Sequence, residues 1–186
     1  MCVAIVVPRG LEDPRKNIPK PEYLIACEEL NVHGAGIAWI EDKTVHYKKG
    51  IKVSEVIEIM NKVEPPLFIH FRQASIGGSV PELCHPFPIN LEASLKTEGA
   101  AQSVLMHNGT WHTWKANVLH LIPRASKEDL KSARVPSGPW SDTRAMAWLA
   151  AIYGGNILTM IDEKVAILNN NGDWRLIGAG WTDVEG

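Results

Sequence analysis

Cysteine is scarce in this sequence, and long apolar runs and runs of like charge are absent. The three cysteines, Cys2, Cys27 and Cys84, cannot all pair with one another. The longest apolar stretch, residues 145–153, is far shorter than a membrane span. The N-terminus lacks both the basic residues and the longer apolar stretch of a secretory signal. We therefore expect a cytoplasmic protein that keeps its cysteines reduced and does not act at a membrane.

An excess of charge of one sign is also lacking. The 19 Lys and Arg residues nearly balance the 21 Asp and Glu residues, and the formal net charge of −2 does not favour nucleic acid as a partner. Apolar residues make up 45% of the chain and charged residues 22%, which is ordinary composition for a globular protein. No internal repeat or long linker divides the 186 residues, so we expect a single domain over residues 1–186.

The remaining patterns predict short strands and helices. Strands are predicted at residues 3–7, 36–40, 45–47, 67–71, 104–106, 157–160, 164–168 and 174–177, with a hairpin turn at residues 41–43. Helices are predicted at residues 21–30, 126–133 and 141–153, and a further one is capped by Ser54 and ends before Pro65. Residues 10–20 and 77–99 are predicted as loops, the second of a length that is often functional. Strands at both ends with helices between them indicate a mixed α+β domain.

Cys2 is the first residue that suggests chemistry. Aminopeptidases remove an initiator Met when the second residue is small, and the exposed α-amine then lies on the same residue as the thiol. Free α-amines have reference pKa values of about 8 and can act as bases near neutral pH. A thiol beside such a base is an activated nucleophile. The alternative is that Cys2 is a small apolar residue at the start of a strand.

Two further candidates follow predicted strands. Arg72 comes directly after residues 67–71, and its planar guanidinium matches a carboxylate; the alternative is a surface salt bridge. After residues 104–106, the side-chain amide of Asn108 and the backbone N–H of Gly109 are the two donors that an oxyanion hole needs. The alternative for this pair is a tight turn, because Asn-Gly is a common turn dipeptide.

Asp142 lies at the predicted start of a helix, directly after Ser141. Its carboxylate is placed for a substrate ammonium, or either residue simply caps the helix. Possible metal ligands are scattered without the spacing of a metal motif: His70, Cys84, His85, His107 and His112. A complete phosphate-binding glycine loop is lacking too, so we expect neither a metal nor a cofactor.

Taken together and in order, these segments resemble the class II glutamine amidotransferases, and most closely their small stand-alone bacterial members. That family has an N-terminal Cys, a Gly-x-Gly-Ile loop, and the motifs His-x-Arg-x-Ala-Thr, His-Pro-Phe, His-Asn-Gly and Ser-Asp-Ser/Thr-Glu. The matching segments here are Met1-Cys2, Gly34-Ala35-Gly36-Ile37, His70-Phe71-Arg72-Gln73-Ala74-Ser75, His85-Pro86-Phe87, His107-Asn108-Gly109 and Ser141-Asp142-Thr143-Arg144. The resemblance covers essentially the whole chain.

The resemblance implies the αββα four-layer sandwich of the N-terminal nucleophile (Ntn) hydrolases, with two antiparallel sheets between helix layers. It implies that Cys2 attacks the side-chain amide of glutamine, that its α-amine relays the proton, and that a thioester forms as ammonia leaves. By the same resemblance Asn108 and Gly109 hold the oxyanion. The substrate-binding residues that it implies are Arg72 for the α-carboxylate, Asp142 for the α-ammonium, and also Ser75 and His85.

Four residues depart from the family pattern. Ser75 stands for the usual Thr, His33 for Asp, Leu83 for Asn, and Arg144 for an acidic residue. These changes leave the nucleophile and the oxyanion donors as they are, and they fall in loops expected to shape the substrate pocket.

The function that we expect is therefore a glutaminase-type amidotransferase. Because the sequence shows no further segment that would consume ammonia, we expect a separate ammonia-accepting synthase as a possible partner. One alternative is a stand-alone Ntn amidase or γ-glutamyl peptidase that acts on another amide. The other is a catalytically silent binding module of the same fold.

Overall fold

A computed structural model describes residues 2–121 and 135–184, which form a mixed α+β structure. Its strands are β1 Val3–Val7, β2 Ala35–Glu41, β3 Thr44–Ile51, β4 Leu67–Phe71, β5 Phe87–Pro88, β6 Glu98–Ala101, β7 Ser103–Asn108, β8 Lys164–Asn169 and β9 Trp174–Ile177. Its helices are α1 Pro21–Leu30, α2 Val53–Met60, α3 Trp114–Leu121 and α4 Asp142–Tyr153. Met1 and the helix predicted at residues 126–133 lie outside the described residues.

The strands form two antiparallel sheets, which confirms the prediction of a mixed α+β structure with two antiparallel sheets. The first sheet has the order β1-β4-β2-β3-β6, and the second has the order β5-β7-β8-β9. The predicted hairpin joins β2 and β3 through Asp42 and Lys43, which both have positive φ, as a tight two-residue hairpin turn requires. None of the helices within residues 2–121 and 135–184 is long and apolar enough to cross a membrane.

Successive side chains of a strand point to opposite faces of its sheet, so each sheet packs against the other sheet on one face and against helices on the other. In β4, Phe68 and His70 face the second sheet, whereas Leu67, Ile69 and Phe71 pack against α1 and α2. The buried side of α4 packs in the same way on the outer face of the second sheet. The described residues therefore run helix, sheet, sheet, helix through the molecule.

Two predicted elements match because their signals are local. The helix predicted at residues 21–30 is α1, which has Pro21 at its first position. A backbone N–H at that position has no partner within the helix, so the missing N–H of proline removes no hydrogen bond. It ends at Asn31, whose side-chain amide donates to the Cys27 carbonyl at 2.8 Å. The strand predicted at residues 67–71 is β4, and every one of its side chains is buried.

Other predictions of local structure are wrong. Residues 157–160 are not a strand but lie in a 3₁₀ helix, Gly155–Met160, that follows α4 directly. Ser54 does not cap α2, which begins one residue earlier at Val53. The Val53 N–H is instead bound by the side chain of Glu28, from α1, at 2.8 Å. The predicted loop at 77–99 contains a 3₁₀ turn and β5, and α3 was not predicted at all.

Candidate active site

The register of the first sheet places Cys2 beside the end of β4. Val3 pairs with Phe71 in the antiparallel β1–β4 ladder, so Cys2, which directly precedes Val3, lies beside Arg72, which directly follows Phe71. Cys2 shares the face of Ala4 and Val6, which pack between the two sheets. The predicted nucleophile and the predicted carboxylate-binding arginine therefore enter the same space from neighbouring strands.

The Cys2 thiol contacts the backbone of Gln73 twice. The N–H of Gln73 donates to Sγ at 3.3 Å, and the thiol can donate to the Gln73 carbonyl at 3.4 Å. Cys27 and Cys84 are buried, and burial raises the pKa of both thiols, whereas Cys2 is only half-buried. Burial and a raised pKa therefore disfavour Cys27 and Cys84, and accessibility favours Cys2 as the reactive thiol of the three.

Arg72 is buried and uses its guanidinium on the loop that follows β4. Nη1 donates to the carbonyl of Gly78 at 2.6 Å, and Nη2 donates to that of Ile76 at 3.0 Å. Two carbonyl oxygens thus occupy the fork in the way that the two oxygens of a carboxylate would.

Asp142 lies in the first turn of α4, where the helix dipole favours a negative charge. Its Oδ2 accepts from the backbone N–H of Trp111 at 3.0 Å, and its Oδ1 accepts from the N–H of Thr143 at 2.9 Å. The cap itself is Ser141, whose hydroxyl accepts from the N–H of Arg144 at 3.1 Å. Asp142 therefore does not serve as the cap, and its carboxylate faces the candidate site.

The His-Asn-Gly segment lies where β7 ends. The His107 ring lies between two elements: Nδ1 is 3.2 Å from Thr143 Oγ1 on α4, and Nε2 is 3.4 Å from Oε2 of Glu163. A side chain at Gly109 would overlap the Glu163 carboxylate, so Glu163 would have to move to make room for it. Asn108 ends β7 and pairs with Lys164 of β8, and its Oδ1 is buried without a partner among the described residues.

A layer of neutral histidines supports this segment. The rings of His70 and His85 lie 4.0 Å apart, and His85 Nδ1 accepts from the N–H of His107 at 3.4 Å. Burial lowers the pKa of His70 to about 3 and holds that of His85 well below its usual value. His85 is therefore uncharged at neutral pH. It can form part of the cleft lining, but it does not supply a positive charge for a substrate carboxylate.

Six of the predicted site residues line one cleft: Cys2, Arg72, Ser75, His85, Gly109 and Asp142. The remaining one, Asn108, lies next to Gly109. The cleft has a volume of about 20 Å³, which is room for about one water. Ser75 Oγ lies 3.0 Å from Thr110 Oγ1 at its exposed side. A substrate of the size of glutamine is larger than this space, so its binding requires the cleft to widen.

Three residues of the site were missed by sequence reasoning, because their roles depend on distant contacts: Gln73, Trp111 and Glu163. The family motif contains the Gln73 position but assigns it no role, and no local pattern distinguishes the other two. Of the departures from the family pattern, Arg144 lies outside the cleft. It donates to the carbonyls of Ala93, Ser137 and Pro139 and so joins the loops before α4.

A larger groove lies elsewhere, between the 3₁₀ helix and β9. Its volume is about 430 Å³, but Asp162 and Arg175 are the only charged residues of its lining, which includes no cysteine. Within residues 2–121 and 135–184, no group of three or more His, Cys, Asp or Glu side chains could hold a metal ion. The smaller cleft at Cys2 is therefore the candidate active site.

Comparison of the sequence with models of known protein families finds none that matches, and comparison with curated proteins finds no match either. The geometry of the cleft and the motifs that line it therefore carry the functional argument.

Proposed function

We propose that this chain is a cysteine amidohydrolase of the Ntn type, related to the class II glutamine amidotransferases, and that it folds as their αββα sandwich. The observation that carries the proposal is that Cys2, Arg72, Gly109 and Asp142 line one cleft although they come from four distant segments. The four have the chemistry of a nucleophile, a carboxylate fork, an oxyanion donor and an ammonium partner.

In the proposed reaction, removal of Met1 exposes the α-amine of Cys2. The thiol attacks the carbonyl carbon of the substrate amide, and its proton passes to that α-amine. The carbonyl oxygen becomes an oxyanion that the Gly109 N–H and the Asn108 amide stabilise. The intermediate then collapses to a thioester as the C–N bond breaks, and the α-amine returns the proton to the departing ammonia.

The second half-reaction is hydrolysis of the thioester. A water molecule attacks the acyl carbon while the α-amine accepts its proton, and the same donors hold the second oxyanion. Collapse releases the carboxylic acid and restores the thiol. The ammonia passes to a separate acceptor enzyme or to solvent, and we propose the cytoplasm as the compartment.

Glutamine or a glutamine-like amide is the proposed substrate because both charged groups of its backbone have a partner. The α-carboxylate replaces the carbonyls of Ile76 and Gly78 on Arg72 and gains a charge-assisted bond from both nitrogens. The α-ammonium binds Asp142, which supplies the carboxylate in the cleft lining. Substrate binding and movement of the loop are thereby coupled through Arg72.

A second candidate function is hydrolysis of another amide without an α-carboxylate. The occupied guanidinium fork favours it, because Arg72 would then keep its bonds to the loop throughout the reaction. The two candidates share Cys2, Asn108 and Gly109 and differ only in the role of Arg72.

The test combines labelling with an ammonia assay. The glutamine analogue diazo-oxo-norleucine is expected to label Cys2, and to spare Cys27 and Cys84, because its electrophilic carbon takes the place of the side-chain amide. Peptide mapping identifies the thiol, and ammonia release is measured for glutamine and for γ-glutamyl amides. Label on Cys84 would show that the wrong thiol was chosen. No hydrolysis of any γ-glutamyl amide would favour either the second candidate function or a silent binding module.

A further inference from the structure

His33 lies in the turn between α1 and β2, and its side chain reaches the segment after β4. Its ring Nδ1 accepts a hydrogen bond from the backbone N–H of Ala74 at 2.9 Å. Its own backbone N–H donates to the carbonyl of Arg72 at 3.1 Å. A single residue therefore holds the chain on both sides of Gln73, the residue that contacts the Cys2 thiol.

The ring contact determines where the Gln73 carbonyl points. The carbonyl of Gln73 and the N–H of Ala74 belong to one planar peptide unit, and in a trans unit they point in opposite directions. Holding the Ala74 N–H against His33 therefore directs the Gln73 carbonyl away from the ring, towards Cys2 Sγ, which lies 3.4 Å from it. Loss of the ring contact would free this peptide unit to rotate.

The turn that carries His33 is itself fixed. The Cys84 thiol donates to the His33 carbonyl at 3.3 Å, and the N–H of Arg72 donates to the carbonyl of Gly34 at 2.9 Å. Gly34 has a φ of 106°, and a side chain there would approach Cys84 Sγ to 3.0 Å. The backbone of His33 therefore has little freedom, which gives the ring a defined place from which to act.

We propose that His33 is a positioning residue for the nucleophile, which holds the Gln73 backbone against Cys2 Sγ by accepting the Ala74 N–H. The Gln73 carbonyl then accepts a hydrogen bond from the thiol, which orients the thiol proton and favours the protonated thiol. His33 acts only through Ala74 and Gln73 and does not touch the reacting atoms. This inference rests on Cys2 being the nucleophile of the proposed function.

A matched pair of substitutions tests whether the acceptor at the position of His33 Nδ1 is what holds the Ala74 N–H. In His33→Asn, the side-chain oxygen occupies the position of Nδ1 and can still accept the Ala74 N–H. In His33→Gln, the amide is the same, but its oxygen lies one bond further out, at the position of Nε2. His120→Gln, at an exposed histidine near the end of α3, is the control for the loss of a histidine.

The readout is the rate at which iodoacetamide alkylates Cys2 at neutral pH, followed by peptide mapping, which requires no substrate. His33→Gln is expected to speed alkylation of Cys2 about fivefold or more, because the freed Gln73 carbonyl no longer favours the protonated thiol over the reactive thiolate. His33→Asn and His120→Gln are expected to stay within about twofold of the wild type. A His33→Gln protein that alkylates at the wild-type rate would overturn the inference, and so would a His33→Asn protein that alkylates as fast as His33→Gln.

A spectroscopic measurement on the unmodified protein is independent of any effect of substitution on folding. An Nδ1 that accepts a hydrogen bond carries no proton, so the neutral ring must be the Nε2–H tautomer, which ¹⁵N chemical shifts of the imidazole identify. Observation of the Nδ1–H tautomer would rule the contact out. If glutamine is hydrolysed, His33→Gln is also expected to lower kcat and to leave KM within about twofold.

The two proposals fail in different ways. Alkylation that depends on His33, together with no hydrolysis of any γ-glutamyl amide, would retain the positioning role and remove the proposed function. Hydrolysis with a normal kcat in His33→Gln would retain the proposed function and remove the positioning role of His33.

Discussion

Nη1 of Arg72 donates to the carbonyl of Gly78 at 2.6 Å, so the side chain expected to bind a substrate carboxylate already binds its own loop. If Arg72 exchanges these carbonyls for a carboxylate, its replacement should mainly weaken binding of glutamine. We expect Arg72→Ala and Arg72→Lys both to raise KM about tenfold to hundredfold, because an ammonium lacks the fork for a bidentate charged contact. Steady-state kinetics with glutamine measures this effect.

Arg175 is the matched control for Arg72. It also donates to a backbone carbonyl, that of Gly155 at 2.7 Å, but it lies at the larger groove and not at the cleft. Arg175→Lys is therefore expected to leave KM unchanged. An unchanged KM in Arg72→Ala would favour the second candidate function, in which Arg72 is a structural residue of the loop.

Substitution of the cysteines separates chemistry from packing. Cys2→Ala and Cys2→Ser are expected to abolish amide hydrolysis and to leave the melting temperature nearly unchanged, because Cys2 is only half-buried. Cys27→Ala is expected to lower the melting temperature and to retain activity in the folded fraction, since Cys27 is buried in the core between the first sheet and its helices. Wild-type turnover in Cys2→Ala would end the Ntn proposal.

Asn108→Asp tests the oxyanion hole. The Asn108 amide is proposed to meet an oxygen that becomes charged only in the tetrahedral intermediate, so the substitution should lower kcat and spare KM. Loss of one such donor costs about 10²–10³ in kcat, and a carboxylate there adds repulsion to the developing charge. Steady-state kinetics, with direct measurement of glutamine binding, distinguishes the two parameters. If Asn108 only forms a turn, Asp would be tolerated and activity would stay within a fewfold of the wild type.

Lys49 predicts a pH dependence of stability. Its side chain is only 1% exposed, its Nζ lies 3.7 Å from the centre of the Phe87 ring, and it has no hydrogen-bond partner among the described residues. Burial lowers the pKa of Lys49 to about 7, from the 10.5 of an exposed lysine. The folded protein therefore loses the proton at lower pH than the unfolded chain does, so this group opposes folding fully below pH 7 and progressively less as the pH rises towards 10.5.

Replacing Lys49 with Met should remove the unfavourable contribution of this buried charge to the free energy of folding. We expect Lys49→Met to raise the free energy of unfolding by up to a few kcal/mol at or below neutral pH, with a gain that shrinks as the pH rises. Lys48→Met is the control, because Lys48 lies in the same strand but is partly exposed and paired with Glu55 at 3.0 Å. Denaturant unfolding over a range of pH measures both variants. A gain for Lys49→Met that is independent of pH would mean that Lys49 is not titrating in this interval.

The sequence by itself determined the elements whose signals are local. Pro21 starts α1, the Pro65-Pro66 pair precedes β4, and Ser141 caps α4, so these elements were predicted to within a residue. It also determined which residue types could form a site, because the motifs around Cys2, Arg72, Asn108 and Asp142 can be recognised without coordinates. Their roles remain predictions, but their identity as candidates needed only the order of the chain.

Only the tertiary structure decided what depends on distant contacts. Residues 157–160 have strand-like composition, but they follow α4 so closely that they continue as a 3₁₀ helix, and α2 is capped by Glu28 from another helix. In the site, the fold decided that Arg72 binds its own loop and that His33 reaches Ala74. Composition and spacing describe neighbours along the chain, whereas a hydrogen bond between residues 41 positions apart exists only once the sheets have brought them together.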